Sequence, residues 1–227
     1  MKYLIAIPAM DMVHTEFMRC LLQLRKVGEC KFVISQSSLI YDARNTLAKR
    51  AVTDGFDRVL WLDSDMSFEP DLMERLAARL DEGREMVTGL YFTRKAPVRP
   101  VLYKECGYFE VGEDKAIKPL ALWFDDYPRD DIFPIQACGF GGVMMTVDLI
   151  RKVADKFGMP FAPMLGFGED LSFCGRVQEV GEKMWADSTI KMGHVGLGTI
   201  TESVFLSQNG GNNGDPDSSQ TRAEGDN

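Results

Sequence analysis

Residues 2–7 form a nearly continuous apolar run that stops at Pro8, and from His14 to Val27 the positions Phe17, Met18, Leu21, Leu22 and Leu24 recur at helical spacing before Gly28. The pattern predicts strand, loop and helix. A second cycle follows, with the short run Phe32-Val33-Ile34, a Ser/Gln-rich turn, and a helix from Asp42 to Thr53 that carries Leu47, Ala48, Ala51 and Val52 on one face. In the third, Val59-Leu60-Trp61-Leu62 is a strand and residues 63–68 a loop, with Pro70 at the first position of a helix bearing Leu72, Met73, Leu76, Ala77 and Leu80. Such regular alternation predicts an α/β fold with a mainly parallel central sheet flanked by helices.

The rhythm changes after a fourth strand over Met86 to Phe92. Short β-like runs at 98–103, 121–124 and 132–138, separated by charged or Pro-containing turns, predict a small antiparallel portion. Beyond them, 143–145 reads as a strand, 147–157 and 169–180 as helices, and 183–187 as a last strand. One domain is expected over residues 1–207. Residues 208–227 contain Gly, Asn, Asp and Ser but no Leu, Ile or Val, a composition that predicts a disordered polar tail.

Composition narrows the chemistry. The chain has 227 residues, 45% of them apolar, and 34 acidic against 26 basic side chains give a formal charge of −8. Bulk attraction to nucleic acid or anionic lipid is therefore not expected, and an anionic ligand must be held locally. Five scattered cysteines without a CxxC pair point to a reducing, cytoplasmic setting instead of a disulfide framework. No apolar stretch approaches the roughly 18 residues of a transmembrane segment.

Asp63-Ser64-Asp65 comes directly after the apolar run 59–62, at the carboxyl end of a strand, where open α/β sheets bind ligands. Two carboxylates two residues apart project to one side and repel unless a cation lies between them, which suits a divalent metal shared with phosphate oxygens. Asp-x-Asp is also an ordinary turn pattern. Gly168-Glu169-Asp170 opens a helix after the apolar, Gly-rich approach 163–168. Acidic residues there favour the helix dipole, but a carboxylate so placed also serves as a general base. His194, one of two histidines, follows Gly193 just beyond the last strand; His14, at a helix start, reads as structural. The glycines of Gly139-Phe140-Gly141-Gly142 permit close backbone approach to a ligand, and no GxxxxGK[ST], GxSxG or HExxH is present.

In this order, Ile7-Pro8 ending the first strand, Ala43-Arg44-Asn45, Asp63-Ser64-Asp65 as a DxD motif, Gly139 to Gly142, Gly168-Glu169-Asp170 as an ED motif and His194 resemble a GT-A fold glycosyltransferase of the family-2-like group, over roughly residues 3–200. The resemblance implies a nucleotide-diphosphate sugar as donor, with a UDP-sugar favoured. It also implies Mn²⁺ or Mg²⁺ held by Asp65, with Asp63 near the ribose or metal and His194 as a further ligand. By the same analogy Asp170 is the base of an inverting displacement or, in a retaining enzyme, a residue that positions the donor sugar, Pro8 lines the base pocket, and Arg44, Ser64, Gly141, Gly142 and Glu169 lie about the donor. The acceptor it leaves open: a saccharide, a lipid-linked sugar, a protein or a modified nucleic acid. Two alternatives are a sugar-phosphate nucleotidylyltransferase, disfavoured because Pro8-Ala9-Met10-Asp11 lacks a Gly-rich basic loop, and a non-catalytic nucleotide-sugar-binding module.

Overall fold

The computed structural model describes residues 1–112, 115–196 and 199–209. Its first strand is β1 (Lys2–Ala9), every residue of which after Lys2 is buried. Parallel to it on either side lie β2 (Glu29–Gln36) and β3 (Arg58–Leu62). Next to β3 comes β10 (Gly142–Thr146), antiparallel to β3 and to its other neighbour β5 (Met86–Leu90). Parallel to β5 runs β11 (Met184–Lys191), and antiparallel β8 (Ile132–Ile135) closes the seven-stranded sheet, ordered β2-β1-β3-β10-β5-β11-β8.

Helices cover both faces, which is why β1 and β3 read as unbroken apolar runs. Leu4, Ala6, Val59 and Trp61 point to one core with Leu47 and Ala48 of α2 (Ile40–Thr53), Ile150 and Val153 of α4 (Val147–Phe157), and Phe173 and Val177 of α5 (Glu169–Glu179). Their neighbours Ile5, Ile7, Leu60 and Leu62 point to the other, against Phe17 of α1 (Thr15–Gln23) and Leu72, Met73 and Leu76 of α3 (Leu72–Asp81). α4 begins where the Thr146 side chain accepts a hydrogen bond from the Leu149 N–H at 3.2 Å, an N-cap.

Several boundaries differ from those the pattern predicts. α1 ends at Gln23, short of Val27. Gly28, just before β2, has φ +65°, and a Cβ there would stand 2.6 Å from the Met1 carbonyl. Pro70 lies in a turn ahead of α3, not at its first position. The run 132–138 divides at Gln136, whose N–H donates to the Tyr103 carbonyl. The part after the break is β9 (Ala137–Cys138), in a separate antiparallel sheet with β6 (Leu102–Val111) and β7 (Ala116–Trp123). Gln208, expected to open the tail, belongs to α6 (Glu202–Asn209), where its side chain accepts from the Val98 N–H. That helix is anchored by Phe205, 4% exposed and stacked on Phe92 at 4.9 Å. Residues 210–227 of the expected tail lie outside the described residues.

A third small sheet matters most for the site. β4 (Met66–Ser67) pairs with β12 (Gly193–Val195), which in turn pairs with β13 (Thr199–Ile200). The register sets His194 opposite Met66, and the Val195 N–H donates to the Asp65 carbonyl at 2.7 Å. Two segments well over a hundred residues apart in the chain thus bring Asp65 and His194 together.

Candidate active site

A cleft of about 820 Å³ opens at the carboxyl ends of β1, β3 and β5. Pro8, Arg44, Asp63, Ser64, Asp65, Glu169, Asp170 and His194 all line it. Arg44 is its most buried charge, its side chain 3% exposed on α2. One nitrogen, Nη2, donates to Asp63 Oδ1 at 2.8 Å and another, Nε, to Glu169 Oε1 at 3.2 Å, which ties the end of β3 to the start of α5. Burial pulls the pKa of this guanidinium down, but the carboxylates around it outweigh burial and keep it charged. Its Nη1 is buried without a partner, and the guanidinium lies over the Phe140 ring at 5.1 Å. For Asp63, burial raises the pKa more than Arg44 lowers it.

Asp65 stands in different company. Its Oδ2 lies 2.9 Å from Arg94 Nη1 and 3.5 Å from His194 Nε2. Burial, the largest single influence, pushes the carboxyl upward, yet His194 and Arg94 together hold it below the ordinary range. His194 Nδ1 is 2.9 Å from the Phe92 carbonyl, which can only accept, so Nδ1 carries a hydrogen and Nε2 turns to Asp65, as a donor while the ring is protonated and as a lone pair once it is neutral. A carboxylate oxygen and an imidazole lone pair facing each other fit a shared cation, and the backbone contact at Nδ1 is the usual way a metal-binding histidine is oriented. Among the described residues no group of three or more His, Cys, Asp and Glu could hold a metal. Asp63, expected near the ribose or metal, directs Oδ1 to Arg44, so a cation at Asp65 and His194 would take its remaining ligands from water or a bound donor.

Asp170 occupies the first turn of α5, partly open to the cleft. Burial first, and then the neighbouring Glu169 charge, push its carboxyl up to about 6. Oδ1 accepts the Leu171 N–H at 2.7 Å, and a Cβ at Gly168 would come within 3.1 Å of that oxygen, so the glycine leaves the carboxyl its place. Gly141 and Gly142 do not line the cleft. Packing accounts for them: a Cβ on Gly141 would press on Met66 Sδ at 2.8 Å and Tyr91 Cζ at 2.9 Å, and one on Gly142 would run into Met192. The sequence reading missed Tyr91, Arg94, Lys95, Arg99, Tyr103 and Trp123, all in the cleft wall. The signal was present in part, because Arg94-Lys95 follows the carboxyl end of the predicted fourth strand.

No family model and no curated protein matches the sequence. Solved structures do match in fold. A197 from STIV superposes with a TM-score of 0.60 at 17% identity over 86% of this chain and 85% of that one. GalNAc-T7, crystallised with UDP, GalNAc and Mn²⁺, gives 0.56 at 11% identity over 86% of this chain and 44% of that one. S. aureus TarS 1–349 gives 0.50 at 15%, covering 82% of this chain and 58% of that one. The fold is that of GT-A glycosyltransferases. The chain spans about half the length of the last two, and identities this low carry the likeness no further than architecture. No helix among the described residues is long and apolar enough to cross a membrane.

Proposed function

We propose that the protein is a metal-dependent glycosyltransferase that moves a sugar from a nucleotide-diphosphate sugar, most favourably a UDP-sugar, to an acceptor hydroxyl with inversion. The observation that carries this reading is the presence in one cleft of two separately built carboxylate centres, Asp65 facing His194 and Asp170 at the start of α5. Asp65 Oδ2 and His194 Nε2 would hold Mn²⁺ or Mg²⁺, which supplies charge compensation to a departing diphosphate. Arg44 keeps Asp63 and Glu169 fixed between the two centres. Pro8, Met10 and Ile40, which also line the cleft, would receive the nucleoside.

Asp170 takes the proton of the acceptor hydroxyl as its oxygen bonds to the anomeric carbon and the bond from that carbon to the diphosphate breaks. With a pKa near 6 the carboxylate is ionised at neutral pH and basic enough to accept a proton. Tyr103 and Trp123, with rings 4.6 Å apart, line the cleft with Asp170 and form the wall beside which the acceptor is received. The direct test is release of nucleoside diphosphate from a panel of nucleotide sugars with Mn²⁺, alongside calorimetric donor binding. Asp65→Ala should abolish metal-supported donor binding with little change in melting temperature. Full metal-dependent binding by that variant would refute the assignment.

A further inference from the structure

The same Asp65 oxygen serves two partners of different permanence. His194 is fixed by its Phe92 contact and by the β4–β12 pairing. Arg94 is held far more loosely: its side chain is 45% exposed, and among the described residues it makes, beyond the ion pair, a single long hydrogen bond, 3.4 Å to the Val195 carbonyl. The guanidinium, 2.9 Å from Asp65 Oδ2, occupies the same oxygen that faces His194 Nε2 at 3.5 Å and that a cation shared by Asp65 and His194 would use. Exposed pairs of this kind contribute little and exchange readily.

The loop that carries Arg94 is well fastened. The Thr93 N–H donates to the Arg99 carbonyl at 2.9 Å, the Thr93 hydroxyl donates to the Lys95 carbonyl and accepts from the Arg99 N–H, and the Val101 N–H donates to the Tyr91 carbonyl. Lys95 and Arg99, on the same loop, also line the cleft. A fixed loop with a loosely held Arg94 means that the side chain, not the backbone, is the movable part.

We infer that Arg94 is a placeholder cation: it neutralises Asp65 in the empty cleft, gives up that oxygen to the divalent ion, and then joins Lys95 and Arg99 as a three-cation rim for the donor diphosphate. The inference rests on the proposed metal-dependent reading and adds a positioning residue to it. Metal and guanidinium compete for one oxygen, so loss of Arg94 should strengthen the binding of metal alone and weaken that of the diphosphate. A merely structural role for Arg94 would not move the two affinities in opposite directions.

The test is calorimetry on the full chain with Mn²⁺ alone and then with UDP at saturating Mn²⁺, for wild type, Arg94→Gln and Arg94→Lys. Arg94→Gln should bind Mn²⁺ about fivefold more tightly, the equivalent of ~1 kcal/mol and the upper end for an exposed ion pair, while UDP binds at least about fivefold more weakly. Arg94→Lys, which keeps the charge, should fall between wild type and Arg94→Gln in both. Equal or weaker Mn²⁺ affinity in Arg94→Gln overturns the hand-over and leaves the metal site standing. Tighter Mn²⁺ with unchanged UDP affinity overturns the move to the diphosphate. If neither wild type nor Arg94→Gln binds Mn²⁺ or Mn²⁺-UDP, the metal-dependent reading fails and the placeholder with it.

Discussion

Arg44 offers the most quantitative check on the site. Arg44→Met keeps most of the apolar stem and removes the guanidinium, which leaves Asp63 and Glu169 without their shared partner, at side-chain exposures of 29% and 15%. Breaking a buried pair from one side typically costs about 3–5 kcal/mol. For a chain of this size each kcal/mol lowers the melting temperature by about 2–4 °C, so a fall of roughly 6–20 °C is expected. The loss should depend on pH in a set direction. Burial already holds Asp63 above its unfolded value of about 3.9, and without the guanidinium that carboxyl rises further. The folded variant then binds more protons than the unfolded chain, and its stability declines as pH rises. The deficit against wild type should be small near pH 4 and reach its full size once the pH exceeds the raised folded-state value. Urea unfolding of both proteins at pH 5 and pH 8 measures this. A deficit below about 1 kcal/mol at pH 8, or one that shrinks as pH rises, would refute the idea that Arg44 holds two carboxylates together.

Asp170→Asn keeps the shape of the side chain but removes the proton acceptor, and should lower turnover roughly 10²-fold or more while metal-supported donor affinity stays within about twofold. In wild type, kcat/KM should rise with pH through about 6 and level off above it, because the base must be deprotonated; a flat profile from pH 5 to 8 contradicts that role. Phe205→Ala should cost about 3 kcal/mol or more, since this ring anchors α6 against Phe92, whereas truncation after Asn209 should leave the melting temperature unchanged. An unchanged melting temperature for Phe205→Ala would mean that α6 contributes nothing to the core.

The legible parts of the fold were those fixed by local burial. β1 and β3 are buried on both faces, so their residues are apolar whatever their partners, and Asp63 stands out because it ends such a run. Pairing partners were not legible. Residues 143–145 read as a strand but carry no mark of direction, and only the assembled sheet sets β10 antiparallel between β3 and β5. Ile132 to Cys138 read as one run because both halves are apolar; the break at Gln136 is a backbone bond to a distant strand. α6 was hidden by polar composition, since Phe205 alone supplies most of its fully buried apolar surface. In the site, Asp65, Asp170 and His194 could be singled out as residue types in order along the chain, and the structure brings them to one cleft. Arg94 was not, because only the assembled sheet brings the end of β5 beside Asp65, although Arg94-Lys95 follows a predicted strand.

The insertion of β10 bears on how the chain comes off the ribosome. β5, with all five residues buried, is joined to the sheet only through β10 and β11, both later in sequence. At ~5–20 residues per second, the roughly 50 residues from Leu90 to Gly142 leave β5 without a partner, and the β10 side of β3 open, for about 3–10 s. Open apolar edges on a nascent chain invite pairing with other chains. A fragment that stops before Gly142 never closes them, so expression of the first 140 residues should yield aggregates instead of a soluble nucleotide-binding half. The cleft assembles only after the second half has been made, which makes its two sides inseparable at the level of synthesis as well as of chemistry.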